Sequence, residues 1–169
     1  ETYHISLTDI TLLITVNFCV QLTVDLASAI FIDKIGYRAS AILAHIFAAI
    51  GLGGLAVLPE ILSNPYIGLL IAVVIYAMGG GLLEVLLSPI VEALPTNNKD
   101  KVMSMLHAMY CWGCVAAVLL STVFFGIFGI EKWKLLCMLW VIVCICNMTA
   151  FFRVPIYSLI AENEKGYSF

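Results

Sequence analysis

Apolar residues fall into five long runs, at residues 7–32, 39–58, 66–90, 102–130 and 133–152. Each run is near or above the roughly 20 residues that an α-helix needs to cross the hydrocarbon core of a bilayer. The runs are too long for strands, and lipid does not tolerate the polar edge of an open sheet. The short polar connections make consecutive runs antiparallel neighbours. The pattern therefore predicts an all-α integral membrane protein with five transmembrane helices in one domain, residues 1–169.

Composition supports the same class. The chain is 63% hydrophobic and 11% charged, and its mean hydropathy is +1.08, whereas a soluble domain carries about 25% charged residues. The net charge of −3 gives no reason to expect a nucleic-acid partner. The six cysteines lie within apolar runs and are interpreted as small hydrophobic residues. The chain begins with Glu1 and has no signal-peptide pattern, so we expect its start to be internal to a longer protein.

The basic residues predict an orientation. If the turn near residue 34 is cytoplasmic, two lysines, Lys132 and Lys134, lie at the outside ends. The inside ends then carry Lys34, Arg38, Lys99, Lys101, Arg153 and Lys165. Because cytoplasmic loops are enriched in Lys and Arg, this asymmetry predicts an outside N-terminus and a cytoplasmic C-terminus in the cell membrane. Residues 153–169 become a cytoplasmic tail or the start of a central loop.

Polar residues recur at helical spacing inside the apolar runs. The first run carries one stripe, of Asn17, Gln21, Asp25 and Ser28, and the third run carries another, of Gly80, Glu84, Ser88 and Glu92. A carboxylate at mid-helix costs about 2.5–3.5 kcal/mol on insertion scales, so Asp25 and Glu84 are expected to face a cavity or a partner. The alternative for the stripes, and for the isolated His45 of the second run, is hydrogen bonding between helices.

A further polar face on the fourth run raises the question of a metal. It consists of His107, Tyr110, Cys111 and Cys114. Three potential ligands on one helix face lie too far apart to bind one ion without others. We therefore expect neither a metal nor another cofactor.

The turn after the first run carries a recognisable motif. The pattern Ala29-x-x-x-Asp33-Lys34-x-Gly36-x-Arg38 resembles the loop signature of the major facilitator superfamily, in which this loop docks against the other half of the molecule. Asp33, at the negative end of its own helix, needs a partner. That partner is either Arg38, within a local polar turn, or a helix N-terminus elsewhere.

The third and fourth runs resemble the fucose permease-like sugar–proton symporters of that superfamily. Glu84 matches a membrane carboxylate implicated in proton coupling, and His107 and Gly113 match a polar position and the glycine that follows it. The resemblance implies five helices of a six-helix half, without the family's first helix and its C-terminal half. It implies a secondary transporter for a sugar or similar small polar solute.

Residue chemistry gives a set of expected roles within such a transporter. Glu84 is expected to carry the proton, because a shielded carboxylate favours its neutral form and a hydrated one ionises. Asp25 is expected at a cytoplasmic gate with Arg38 or the next inside loop. Amide, hydroxyl and aromatic groups suited to sugars make five residues candidates for the solute path: Gln21, Tyr76, His107, Trp112 and Asn147.

Two other classes of function stay open. A membrane scaffold without transport activity, such as a truncated subunit, fits a chain that lacks the first helix and the second half. A membrane-embedded enzyme would have to use His45, Glu84 and His107, and no nucleophile–base or HExxH spacing supports it.

Overall fold

The computed structural model describes residue 3 and residues 5–157, and for Ala29 and Asp33 it describes the backbone alone. Helices are the only regular secondary structure in this part of the chain: α1 (Leu7–Ile35), α2 (Tyr37–Ile61), α3 (Pro65–Glu92), α4 (Lys99–Phe128) and α5 (Trp133–Arg153). All five are long and apolar enough to cross a membrane. The predicted all-α membrane protein with five spanning helices is confirmed. Most of the predicted tail lies outside the described residues.

The connection between α1 and α2 is shorter than predicted. The expected boundaries were residues 32 and 39, but α1 continues to Ile35 and α2 begins at Tyr37. Gly36 alone joins them, with φ of 90° and its N–H donating to the carbonyl of Ile32 at 2.7 Å. Positive φ is a region that glycine enters without steric cost. One residue therefore reverses the chain direction.

Two other helices end at residues different from the predicted ones, one beside a glycine and one just after a proline. Helix α4 was expected to reach residue 130 but ends at Phe128, because Gly129 takes φ of 80° and a short 3-10 turn, Ile130–Lys132, follows. Helix α2 was expected to end before Pro59 but continues through it to Ile61. A proline removes one N–H donor, and so close to a helix end it removes little else.

Helix α3 is the centre of the assembly, and α2 packs on it through glycines. A Cβ added to Gly79 would lie 2.6 Å from the carbonyl oxygen of Ala44, and one added to Gly68 would lie 2.7 Å from the carbonyl carbon of Leu58. At Gly51 the added atom would collide with the backbone of Tyr76. The absence of side chains at these points lets the two backbones touch, as is common between membrane helices.

Helix α1 packs on a different side of α3, at the next two glycines. A Cβ on Gly80 would lie 2.8 Å from Nε2 of Gln21, and a Cβ on Gly81 would lie 3.0 Å from the Gln21 carbonyl oxygen. Successive helical residues point roughly 100° apart, so Gly79 faces α2 while Gly80, the next residue, faces α1. A buried cluster then completes the packing of α1, α2 and α3: Ile32, Ala41, Ala44, Leu82 and Leu86.

Helices α4 and α5 lie at the periphery. Helix α5 packs mainly against α2, and α4 touches α3 over a small area. In α4, Phe124 is the buried residue among those described. The described bundle therefore leaves most of α4, and one side of α1, without a protein neighbour.

Candidate functional site

Glu84 lies on the exposed side of α3, one turn beyond the glycines that hold α1. Its side chain is exposed, whereas Leu82 and Leu86 on the opposite side of the same turn are buried in the core. Gly80 precedes it by four residues and lies on the same face. Because an exposed carboxylate in a spanning helix is costly against lipid, this face of α3 is the candidate functional surface.

The polar stripe of α1 forms one wall of this surface. Gln21 contacts Gly80 through its side-chain nitrogen, and Asn17 donates to Oε1 of Gln21 at 3.5 Å. Oδ1 of Asp25 lies 3.1 Å from the position of a Cβ on Gly81. The stripe predicted from helical spacing is therefore directed at α3, and the resulting polar surface continues from Asn17 to Glu84.

Helix α4 lies near the same surface. Tyr110 is close enough to Glu84 for a charge on one side chain to affect the other, and the same holds for Cys114, one helical turn further along α4. His107 precedes Tyr110 by three residues and is exposed. A phenol and an imidazole are both able to exchange hydrogen bonds with a carboxylate or with a hydroxylated solute. Tyr110 was seen in the sequence as part of a polar face but was not among the predicted path residues.

The five predicted path residues do not all reach this surface. Tyr76 lies two turns before Glu84 on α3 and is 37% exposed. Trp112 is 70% exposed, but it lies roughly 200° around α4 from Tyr110, on the side away from Glu84. Asn147 is exposed on α5, a helix that packs on α2 and not on α3. Of the predicted path residues, Gln21 therefore contacts this surface directly, at Gly80, whereas Tyr76 packs on Gly51 of α2 two turns away and His107 lies one turn from Tyr110 on α4.

The loop motif lies at one end of the bundle, where Arg38 binds the end of α5. Its guanidinium donates to three carbonyls, of Phe151 at 2.7 Å, Phe152 at 3.0 Å and Val154 at 2.8 Å. These carbonyls have no partner within their own helix, and a cation there also meets the negative end of the helix dipole. A groove of about 490 Å³ adjoins this contact, lined by Gly36, Tyr37, Arg38, Ile42, Phe152 and Tyr157.

The structure bears differently on the predicted partners of Asp33 and of Asp25. The side chain of Asp33 lies outside the described residues, so its pairing stays a prediction. Among the residues that the structure describes, Lys134 and Glu60 form the ion pair within 4 Å. Asp25 therefore forms no ion pair with Arg38 there. The hydrogen bond from Arg38 to Phe151 of α5, two residues 113 positions apart in the sequence, was not predicted.

A second polar cluster lies at the other end of the bundle. Nζ of Lys134 lies 2.7 Å from Oε1 of Glu60, and the hydroxyl of Tyr3 donates to the same oxygen. The Tyr3 and Trp133 rings meet edge to face at 6.3 Å. Partial burial, and then the hydrogen bond to Glu60, raise the pKa of Tyr3, so the phenol stays a donor. The cluster joins the N-terminal segment, α2 and α5.

His45 is held by packing and by a hydrogen bond within its own helix. His45 is buried between α2 and α5, with Nδ1 2.8 Å from the Ala41 carbonyl oxygen and its ring 5.3 Å from that of Phe151. The bond is made within α2, not between helices. Among the described residues, no group of three or more His, Cys, Asp or Glu side chains is arranged to hold a metal ion.

Comparison with known families gives one match. The model of the Major Facilitator Superfamily matches residues 1–165. No curated protein and no solved structure matches the chain.

Proposed function

The chain belongs to the major facilitator superfamily, whose members are secondary transporters and not enzymes, and we propose that it serves proton-coupled uptake of a sugar or similar small polar solute. In such transporters one half rocks against the other around a site near the middle of the membrane. The fucose permease-like subgroup is the specific relationship proposed. The membrane-embedded enzyme considered from the sequence has no support in this family.

The observation that carries the proposal is the position of Glu84. The carboxylate is exposed on a spanning helix, between the amide stripe of α1 and Tyr110 of α4. The adjacent glycines, Gly80 and Gly81, leave no side chain of their own over this face. In general a carboxylate shielded from water favours its neutral form and a hydrated one ionises, which is the property a proton carrier needs.

Solute contacts are assigned to residues at or near this surface. Gln21 supplies an amide, His107 an imidazole and Tyr76 a phenol and an aromatic face. Such groups exchange hydrogen bonds with solute hydroxyls. Trp112 and Asn147 point elsewhere in the described part of the chain, so we assign them no contact with the solute.

The proposal requires further protein around α1 and α4. Most residues of α4 are exposed, and they include the polar Tyr110 and His107. We propose that the family's first helix and C-terminal half cover these faces, so that the surface around Glu84 becomes an enclosed path. We also propose location in the cell membrane with the Arg38 end cytoplasmic, where Asp33, Lys34, Gly36 and Arg38 contribute to the inner gate.

The test is a comparison of net transport and exchange in proteoliposomes that contain the full-length protein. Glu84→Gln is expected to abolish accumulation driven by a proton gradient and to retain exchange of labelled solute, because exchange needs no net release of a proton. Glu92→Gln is the control, because Glu92 lies on the same helix at its exposed end. Unchanged pH-driven accumulation by Glu84→Gln would remove this residue from the coupling mechanism.

A further inference from the structure

The groove beside Arg38 is charged at one end and apolar along its length. It has a volume of about 490 Å³ and is lined by the end of α1, the beginning of α2 and the chain at the end of α5. Ile42 follows Arg38 by one turn of α2, so it lies about 6 Å further into the membrane span. The large apolar side chains of the lining are those of Ile35, Ile42, Phe152 and Ile156.

The guanidinium of Arg38 keeps donors for a ligand. It carries five N–H groups, and its three hydrogen bonds to the end of α5 come from Nη1 and Nη2. The N–H of Nε and one N–H of Nη2 therefore have no acceptor among the described residues. Guanidinium N–H groups are well suited to phosphate oxygens. The end of a helix carries roughly half a negative charge, less than the full charge of Arg38, so the contact with α5 leaves this site attractive to an anion.

The surroundings of the groove are cationic. Lys34 and Arg153 are exposed, and each stands next to a lining residue in the sequence. Residues 33–42 and 151–157 together hold three cations and one acid, Asp33. Among the described side chains that line the groove, none is acidic. The charge of this end of the bundle therefore favours a negatively charged ligand.

The apolar lining separates a lipid from a small free anion. Inorganic phosphate would use the charged end of the groove and leave Ile42 and Phe152 uncovered. The groove lies where three spanning helices end, at the depth where lipid headgroups meet their acyl chains. A phospholipid matches both parts, because its phosphate reaches the cations while an acyl chain covers the apolar side chains. Basic pockets between membrane helices are typical sites for anionic headgroups.

We propose that this groove binds one anionic phospholipid, with the phosphate at Arg38, Lys34 and Arg153 and an acyl chain along Ile42 and its apolar neighbours. A zwitterionic lipid binds less well, because its ammonium group would lie beside three other cations. In the orientation proposed above, the lipid comes from the cytoplasmic leaflet, which is rich in anionic lipids. The inference concerns a lipid site and does not depend on the solute or on proton coupling.

Native mass spectrometry of the full-length protein in detergent tests the charged end of the site. Phosphatidylglycerol and phosphatidylcholine with the same acyl chains are compared, and the parent is expected to bind phosphatidylglycerol more tightly. Lys34→Gln and Arg153→Gln should each weaken phosphatidylglycerol binding about fivefold, the effect of one cation near an anionic headgroup, and leave phosphatidylcholine unchanged. Lys101→Gln is the matched control, because Lys101 is exposed at the same end of the bundle and outside the groove. Arg38 is left intact, since its loss would also release α5.

A substitution at Ala39 tests the apolar part. Ala39 is exposed and lines the groove, so the ring of Ala39→Phe fills the space of the acyl chain without entering the core. This variant is expected to lose the preference for phosphatidylglycerol and to keep the Tm that the parent has without lipid. Inorganic phosphate is expected not to displace the lipid from the parent.

Several outcomes would overturn the proposal. Equal affinity of the parent for the two lipids would exclude an anionic lipid site, and equal effects of Lys34→Gln and Lys101→Gln would show only a general attraction to this end. Displacement of the lipid by inorganic phosphate, with unchanged lipid binding by Ala39→Phe, would assign the groove to free anions. Lipid binding that appears only when Glu162 and Glu164 are replaced by Gln would assign it to the following segment of this chain.

Discussion

The guanidinium of Arg38 donates to the carbonyl of Phe151 at 2.7 Å, which joins the beginning of α2 to the end of α5. The two residues are 113 positions apart. Two further carbonyls, of Phe152 and Val154, accept from the same side chain. A planar group with several fixed donors suits a helix end that presents several free carbonyls. The loop motif is therefore attached to the other end of the described chain.

Replacement of Arg38 is predicted to release the end of α5. Arg38→Ala removes three charge-assisted hydrogen bonds, and we expect a loss of about 2 kcal/mol in unfolding free energy, since each bond has a modest net value. Arg38→Lys should lose less, because an ammonium keeps the charge but not the fork geometry. The readout is Tm in detergent, together with proteolysis after residue 153. Equal Tm values for the parent and Arg38→Ala would contradict a structural role for these bonds.

The turn at Gly36 is predicted to be sensitive to backbone conformation and not to size. No atom lies within 4 Å of a Cβ added there, yet φ is 90°. Gly36→Val should therefore slow transport by the full-length protein while membrane insertion continues, and Gly36→Asn should be no better tolerated, because φ of 90° with ψ of 148° is a region that essentially only glycine enters. Transport at the parental rate by either variant would contradict this reason.

Asp33, three residues before Gly36, is the basis of a separate prediction about gating. If Asp33 has a partner in the other half of the transporter, Asp33→Asn should slow transport with normal insertion. Arg38→Lys serves as the comparison for a purely local pair, since it keeps a positive charge in the loop. Transport at the parental rate by Asp33→Asn would leave the turn a polar connector.

The orientation is predicted from the basic residues and is open to chemical labelling. Glu60 and Lys134 form one cluster, and Lys99 lies at the other end of α3, where it donates to the Glu92 carbonyl. Cysteines placed at residues 60 and 99 of a cysteine-free protein should react with an impermeant reagent from opposite sides of intact cells, residue 60 from outside. Labelling of both positions from one side would disprove the predicted topology.

Close packing of α2 on α3 is predicted to make two glycines intolerant of alanine. At Gly51 and Gly79 an added methyl group meets backbone atoms, which cannot turn aside as a side chain can. We expect each substitution to lower the unfolding free energy by at least about 1–3 kcal/mol, the usual cost of overpacking. Gly53→Ala is the matched control on α2 itself, because its added Cβ would meet only a side-chain atom of Val141, at 3.9 Å. Similar Tm values for all three variants would show that the helices separate without cost.

The sequence was sufficient for the helices because their length and polarity are local properties. Five apolar runs became five helices, but their ends moved where backbone conformation decided the outcome, as at Gly36 and Gly129. Helical spacing placed Gln21 and Asp25 on one face, but it does not say which neighbour that face meets. The answer depended on Gly80 and Gly81, and only the packed structure pairs those glycines with α1.

Interactions between distant residues were beyond the sequence argument. Arg38 was expected to act near its own loop, and its acceptors are free carbonyls of α5, which carry no residue-specific signal. Helical spacing alone also did not show which face of α4, that of Tyr110 or that of Trp112, lies nearer to Glu84. Only the packed structure places the Tyr110 face near Glu84.

The three consecutive glycines of α3 make its rotational register critical. Gly79 receives α2, while Gly80 and Gly81 receive α1. Inserting one residue into α3 before Gly79 would turn these positions by roughly 100° relative to the segment before the insertion. Gly79 would then face α1, and the inserted residue would take its place against α2. Length changes in α3 should therefore be far less acceptable than substitutions on its exposed face, and sequence variation among functional homologues should preserve the spacing between Gly68 and Gly79.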